Sequence, residues 1–431
     1  MKDYWRALEE RIDSPEFQAE LRAEFPAGAD QLDRGISRRS FVRLLGASMA
    51  LAGIGGCFRR PREPILPYVH RPEDVTPGQP LHYATAMLLG GYATGLLVES
   101  HAGRPTKIEG NPDHPASLGA AGVFQQASLL ELYDPHRART ITRRGRRANA
   151  AALARLLDPS AIARRAGARG HGLHLLLEPT SSPLIGRQLD RILERFPAAQ
   201  IHWYAPLASR TQLDATAAAF GRALQPIYQP AAAEVIAVFE DDIFGAGPFH
   251  LRYAREFAGG RRLTAPGDSM NRLYVAEGRP TITGGIADHR LPSRPSRMPL
   301  LLPALLNRLR GSGASDPALT EPEQRWIEAL ARDLQAHRGA ALVIAGEMLP
   351  PEAQALAHLA TAALDGAGHV VRYIDPVLLP GATRPGLGSL VNAMQQGDIE
   401  TLIVVDGNPV YTAPADIDFS AALTKVPNSV H

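Results

Sequence analysis

One cysteine, Cys57, and fourteen histidines are the soft and imidazole ligands available in 431 residues. A single thiol excludes an intrachain disulfide. It also excludes an iron–sulfur cluster built from this chain alone, because such clusters take about four thiolates. No histidine stands in a His-x-x-x-His or His-Glu-x-x-His pattern, so His70, His82 and His202 read as surface or capped core residues. Carboxylates offer acid–base chemistry instead. Glu240, Asp241 and Asp242 follow an apolar run and precede Gly245-Ala246-Gly247, while Glu277 and the pair Asp288-His289 fall between Met270 and Arg290. With no nucleophile or metal ligand near them in sequence, these last three read as structural.

The elements that must position such groups are strands alternating with helices. Leu173 to Leu177 reads as a buried strand, Leu184 to Phe196 as a helix with Leu184, Ile185, Leu189, Ile192, Leu193 and Phe196 on one face, and Ile201 to Tyr204 as the returning strand. Val235 to Phe239, Leu342 to Ala345, Val370 to Ile374 and Thr401 to Val405 are further strands, with helices around Leu251 to Phe257 and over Glu352 to Leu364. This alternation predicts an α/β fold with Rossmann-like parallel sheets. In such sheets anions bind beyond the carboxyl ends of strands, which makes Glu178 to Pro183, Glu240 to Gly247 and Asp406 to Val410 the candidate loops. No Gly-x-Gly-x-x-Gly follows any strand, and Asp241 and Asp242 would repel a pyrophosphate.

Composition sets bounds on function. With 45% hydrophobic residues the chain can build real cores, and 46 basic against 44 acidic residues give a net charge of +2. That balance offers no field for nucleic acid. The basic run Thr142 to Arg147 reads as a solvated linker. Met1 to Gly35 reads as one or two short amphipathic helices or as a disordered leader. Arg38 and Arg39 form a twin-arginine signature ahead of a mildly apolar run from Leu44 to Gly56. That run is too short for a spanning helix, which takes about 20 residues. Ile54-Gly55-Gly56-Cys57 reads as a lipobox whose cysteine would be acylated, with a free cysteine as the alternative. The domain reading is therefore residues 1–57 as an extended export signal, 58–80 as a Pro-rich tether, 81–150 as a hairpin region and 151–431 as the Rossmann-like region.

Gly91 to Arg137 is the most specific wording in the chain. Gly95 to Ser100 and Pro105 to Glu109 read as a hairpin turning through His101 to Arg104, and Gly110-Asn111-Pro112-Asp113-His114-Pro115 stops the second strand because proline cannot donate to a ladder. Gly103, Arg104, Lys107 to Pro112, His114, Pro115, Leu132 to Pro135 and Arg137 resemble the molybdopterin oxidoreductase superfamily. Within it, the segments Ser37 to Cys57, Gly91 to Arg137, Met270 to Arg290 and Asp406 to Asp416 are similar to the Tat-translocated, molybdopterin-like N-terminal part of the iron–sulfur subunits of alternative complex III.

The resemblance implies a scaffold subunit of a respiratory quinol:cytochrome c oxidoreductase, exported by Tat to the periplasmic face of the bacterial cytoplasmic membrane. Its partners would be other membrane-complex subunits, cytochrome c subunits and a ferredoxin-like iron–sulfur part, with a lipid anchor reaching the membrane surface. Active members carry cysteine-rich segments before the opening strand and near Gly119 to Phe124; here both lack cysteine, which implies that the chain has no redox cofactor of its own. Asn408 and Pro409 match the superfamily's contact to the guanine dinucleotide end of the pterin, so molybdopterin guanine dinucleotide is the alternative, in a polysulfide or thiosulfate reductase-like catalytic subunit. A periplasmic binding module is the other. The tail Val426 to His431 reads as a strand with no terminal helix over the sheet. A parallel sheet is covered on both faces, so the fold is expected to continue in a further stretch or a partner that carries the clusters.

Overall fold

Apolar runs of about five residues become the central strands, because a parallel strand is buried on both faces and tolerates few polar side chains. The computed structural model describes residues 75–76, 78–207, 210–245, 247–311, 317–379 and 386–431. Arg38, Arg39, Cys57 and nearly all of the Pro-rich tether lie outside the described residues. The rest belongs to one unit, Asp74–His431, which joins the hairpin region and the Rossmann-like region.

In chain order the strands are β1 (Leu81–Leu89), β2 (Tyr92–His101), β3 (Arg104–Gly110), β4 (Thr142–Arg143), β5 (Arg146–Arg147), β6 (Leu173–Leu177), β7 (Gln200–Trp203), β8 (Gln225–Tyr228), β9 (Val235–Phe239), β10 (Arg272–Glu277), β11 (His289–Pro292), β12 (Ala341–Ala345), β13 (Val371–Ile374), β14 (Thr401–Val405) and β15 (Asn428–Val430). The fold is mixed α/β. Two four-stranded sheets, ordered β15-β14-β6-β7 and β11-β10-β9-β12, are parallel throughout.

Strand β9 shows how one run serves two layers. Val235, Ala237 and Phe239 pack with Met298, Leu301 and Leu305, while Ile236 and Val238 face Tyr253 and Phe257 on the other side. The period of two sends alternate residues to opposite helical layers. Each of the larger aliphatic side chains and Phe239 contributes about 1.5–3 kcal/mol through burial. In the other sheet, Leu173, Leu175 and Leu177 pack with Leu189 and Phe196, and Leu176, Leu402 and Val404 pack with Leu387, Leu390 and Val391.

Three expectations need correction. Leu184 does not share the buried face of its helix, Pro183–Arg195, but is exposed in the first turn; Leu189 is the residue fully buried there. The strand at Val371–Ile374 joins neither parallel sheet, pairing antiparallel with β8 instead. The opening hairpin has a third strand, β1, which runs antiparallel to β2 over nine residues. Its turns are two-residue ones, Gly90-Gly91 and Ala102-Gly103, all at positive φ. That geometry matches the twist of paired strands and explains the glycines.

Before β15, the helix Phe419–Leu423 buries Phe419 and Ala422 against Leu390 and Leu402. It covers part of the sheet that the sequence left bare. The Thr142 to Arg147 run forms a small exposed hairpin, in keeping with a solvated basic segment.

Candidate functional site at the carboxyl edges of two sheets

Both parallel sheets reverse their strand order once. The chain passes from β6 to β7 on one side and later places β14 on the other; likewise β10 and β11 lie to one side of β9 and β12 to the other. The loops that leave the carboxyl ends at such points diverge, and open α/β sheets bind ligands there. Backbone strain marks both places. Glu240, the first residue after β9, has φ of 51°, and Asp406, the first after β14, has φ of 60°, a region that side-chain-bearing residues seldom occupy.

The first edge joins two of the three candidate loops. Glu178 follows β6 and Asp406-Gly407-Asn408-Pro409 follows its neighbour β14. A Cβ on Gly407 would sit 2.8 Å from Glu178 Oε1, so the Glu178 side chain reaches across to the second loop, and the positive φ of 68° at Gly407 suits glycine. The hairpin tip seals one side, where Ser181 N donates to Gly91 O at 2.8 Å. Pro409 is buried and starts the short helix Pro409–Thr412, while Asn408 is exposed, its carbonyl accepting from Tyr411 N and Thr412 N. Burial pushes the Glu178 carboxyl above its ordinary range, and Asp406 adds to the shift. The Asp406 carboxylate next to Gly407-Asn408 would disfavour a pyrophosphate at this edge.

The third candidate loop stands on the other sheet. Glu240 and Asp241, at its start, face the loop after β12, where a Cβ on Gly346 would lie 1.9 Å from Glu240 O. Asp242 is a loop clamp, accepting from Thr283 N at 2.9 Å and Thr283 Oγ1 at 2.7 Å. Asp241 keeps a little surface but is crowded by protein, and desolvation pushes its carboxyl up to about 7; a hydrogen bond from Asp242 N opposes this, and Glu347 adds to it. Glu347 is an exposed residue by its surface, yet crowding by protein raises its carboxyl too. Tyr92, on the hairpin, accepts from Gln225 Nε2 at 3.0 Å and is pushed up to about 12 by burial and then by Glu347. A carboxyl raised toward neutrality, with Glu347 near it and the phenols of Tyr228 and Tyr253 within reach of its charge, can exchange a proton at physiological pH.

Glu277 and Asp288 serve opposite ends of β10. Glu277 is 1% exposed and accepts from Arg290 Nε at 2.5 Å and Thr281 Oγ1 at 2.7 Å. Asp288 accepts from Leu273 N at 2.8 Å and from Arg261, while His289 stacks on Tyr274. Roughly 15 Å of strand lies between them, so they do not form one site.

The motif residues of the opening hairpin hold their own loop. Asn111 N donates to Gly95 O at 3.0 Å, Asn111 Oδ1 accepts from Asp113 N at 3.0 Å, and His114 Nδ1 pairs with Ser117 Oγ at 3.1 Å. A Cβ on Gly110 would meet Ala120 O at 2.3 Å.

No family model matches this chain, and no curated protein does. Among solved structures the chain is similar to the formyltransferase/hydrolase complex FhcABCD from Methylorubrum extorquens in complex with methylofuran, with 14% identity and a TM-score of 0.38 over 63% of this chain and 78% of that one. A likeness at that level carries no argument about function.

Sequence reading missed the histidine pair that links β6 to β7, with His174 near the opposite, amino edge of the first sheet. His174, 2% exposed, sits with Nδ1 2.9 Å from Nε2 of His202, and His202 Nδ1 lies 3.3 Å from Ser389 Oγ. His174 also lines a recess of about 440 Å³ with Arg165, His171, Asp398 and Glu400. Polar residues inside otherwise apolar strand runs were the available signal. Among the described residues, no group of three or more His, Cys, Asp or Glu side chains is arranged to hold a metal, and no helix is long and apolar enough to cross a membrane.

Proposed function

We propose that this chain is an exported, membrane-tethered scaffold subunit of a respiratory quinol:electron-acceptor oxidoreductase of the alternative complex III type, similar to molybdopterin oxidoreductases but without a redox centre of its own. The observation that carries the reading is the run from Gly103 to Arg137, whose wording resembles the motif of that superfamily, in a chain with one cysteine. The mixed α/β fold with parallel sheets is compatible with it. The carboxyls of Glu178 and Asp406 beside Asn408 and Pro409 favour a scaffold over a catalytic subunit that binds molybdopterin guanine dinucleotide. In this reading electrons travel through clusters on a ferredoxin-like part and through cytochrome c subunits, while this chain holds them in place. Arg38 and Arg39 direct export, and Cys57 supplies the lipid anchor.

The test is purification of the tagged full-length chain from bacterial respiratory membranes. Haem and acid-labile sulfide co-purifying without stoichiometric molybdenum is the expected result. Stoichiometric molybdenum would instead support the catalytic alternative, and a chain recovered alone would support a binding module. Replacing Arg38 and Arg39 with Lys should leave the precursor in the cytoplasm; normal export of that variant would remove the Tat reading.

A further inference from the structure

Strand β1 is an edge of a kind that natural sheets avoid. It runs for nine residues, Leu-His-Tyr-Ala-Thr-Ala-Met-Leu-Leu, with no charged residue, proline or bulge, and among the described residues it pairs on one side only, with β2. Seven of its nine residues are exposed, Tyr83 by 55% and Leu88 by 49%. Edge strands are ordinarily blunted by lysine, proline, a bulge or a cover, because a free row of N–H and C=O groups templates another strand. Here none of these devices is present among the described residues.

We infer that β1 is the dimerisation element of this protein, pairing antiparallel with the β1 of a second copy about a twofold axis at Thr85. The occupant follows from the sequence of the strand. Antiparallel pairing centred on Thr85 sets Leu81 opposite Leu89 and Tyr83 opposite Met87 on one face, with His82 opposite Leu88 and Ala84 opposite Ala86 on the other. All of these pairs but His82 with Leu88 bring apolar or small groups together, and no two carboxylates, lysines or arginines meet across the axis. An aromatic with a long apolar residue is also a favourable cross-strand combination. The two three-stranded sheets become one six-stranded sheet, and roughly eight to ten backbone hydrogen bonds form across the axis, since alternate opposed residues exchange two each. An isologous contact of this sort closes at two copies and leaves no further β1 edge free. This inference does not rest on the proposed function.

The experiment is light scattering on the purified full-length chain at micromolar concentration, which should give twice the chain mass of 46.4 kDa. Thr85→Lys places two ammonium groups face to face at the axis and should leave a monomer, and Thr85→Glu should do the same. Mixing the two variants pairs opposite charges and should restore the two-chain mass. Thr85 is exposed, so the circular dichroism and unfolding midpoint of both variants should match wild type. A monomeric wild type, a Thr85→Lys variant that stays dimeric, or a mixture that does not reassociate would each overturn the inference.

Discussion

His174 and His202 lie ring to ring in the layer between a sheet and its helix, with centroids 5.1 Å apart and planes within 13°. They stand on the neighbouring strands β6 and β7, and Ser389, in the helix Leu387–Gln396, closes the chain of polar contacts at His202. Burial keeps both rings neutral. Desolvation pushes His202 down to about 4, with His174 adding to the shift; His174 is lowered as well, although Asp398 and the His171 carbonyl oppose this.

Acid should therefore loosen this sheet through the pair. Between the ordinary imidazole value of 6.5 and about 4 the unfolded chain binds protons that folded His202 refuses. The unfolded state is favoured increasingly as pH falls through that window. His202→Gln should lower the melting temperature at pH 8, because His174 loses its partner, and should flatten the decline between pH 6.5 and 4. Thermal melts over that range check this, and an unchanged slope in the variant would contradict it.

Asp241 should behave in the opposite sense. Its folded value near 7 exceeds the ordinary 3.8, so the folded state holds a proton that the unfolded state has lost, and stability declines as pH rises from 3.8 towards 7. Asp241→Asn removes the cost of ionising there. The variant should match wild type near pH 4 and be more stable by about 1–3 kcal/mol at pH 8. Urea titrations at the two pH values decide the matter.

Arg290→Ala leaves Glu277 without its cationic partner at 1% exposure. Arg290 keeps 30% of its side chain exposed, so water screens the pair and its loss should cost about 1–3 kcal/mol. Glu277→Gln, which removes the charge and keeps the shape, should cost clearly less. Chemical denaturation in which both variants lost the same amount would show that the charge is not what matters.

Phe239 is fully buried and meets Trp326 edge to face at 5.8 Å. Phe239→Ala should cost about 3–5 kcal/mol, the usual range for a large-to-small change in a core. A calorimetric loss below about 1 kcal/mol would mean that the site collapses around the missing ring.

The amino-acid sequence by itself determined the local elements. Val235–Phe239 and Thr401–Val405 are legible as buried strands because burial on both faces demands an unbroken apolar run, and the Gly110 to Pro115 loop is legible because proline removes ladder donors. Exposure of Leu184 in the first turn of its helix, and the antiparallel pairing of β13 with β8, were not, since both depend on what lies across from the element. The same holds for the sites. Glu178 meets Gly407 because β14 inserts beside β6, Asp241 feels Glu347 because β12 lies beside β9, and His174 touches His202 through the register of β6 and β7. Periodicity is a property of neighbours along the chain and states which face is buried. Strand order is set by packing among distant segments, and only the tertiary structure decides which carboxyls and imidazoles share one low-dielectric surrounding.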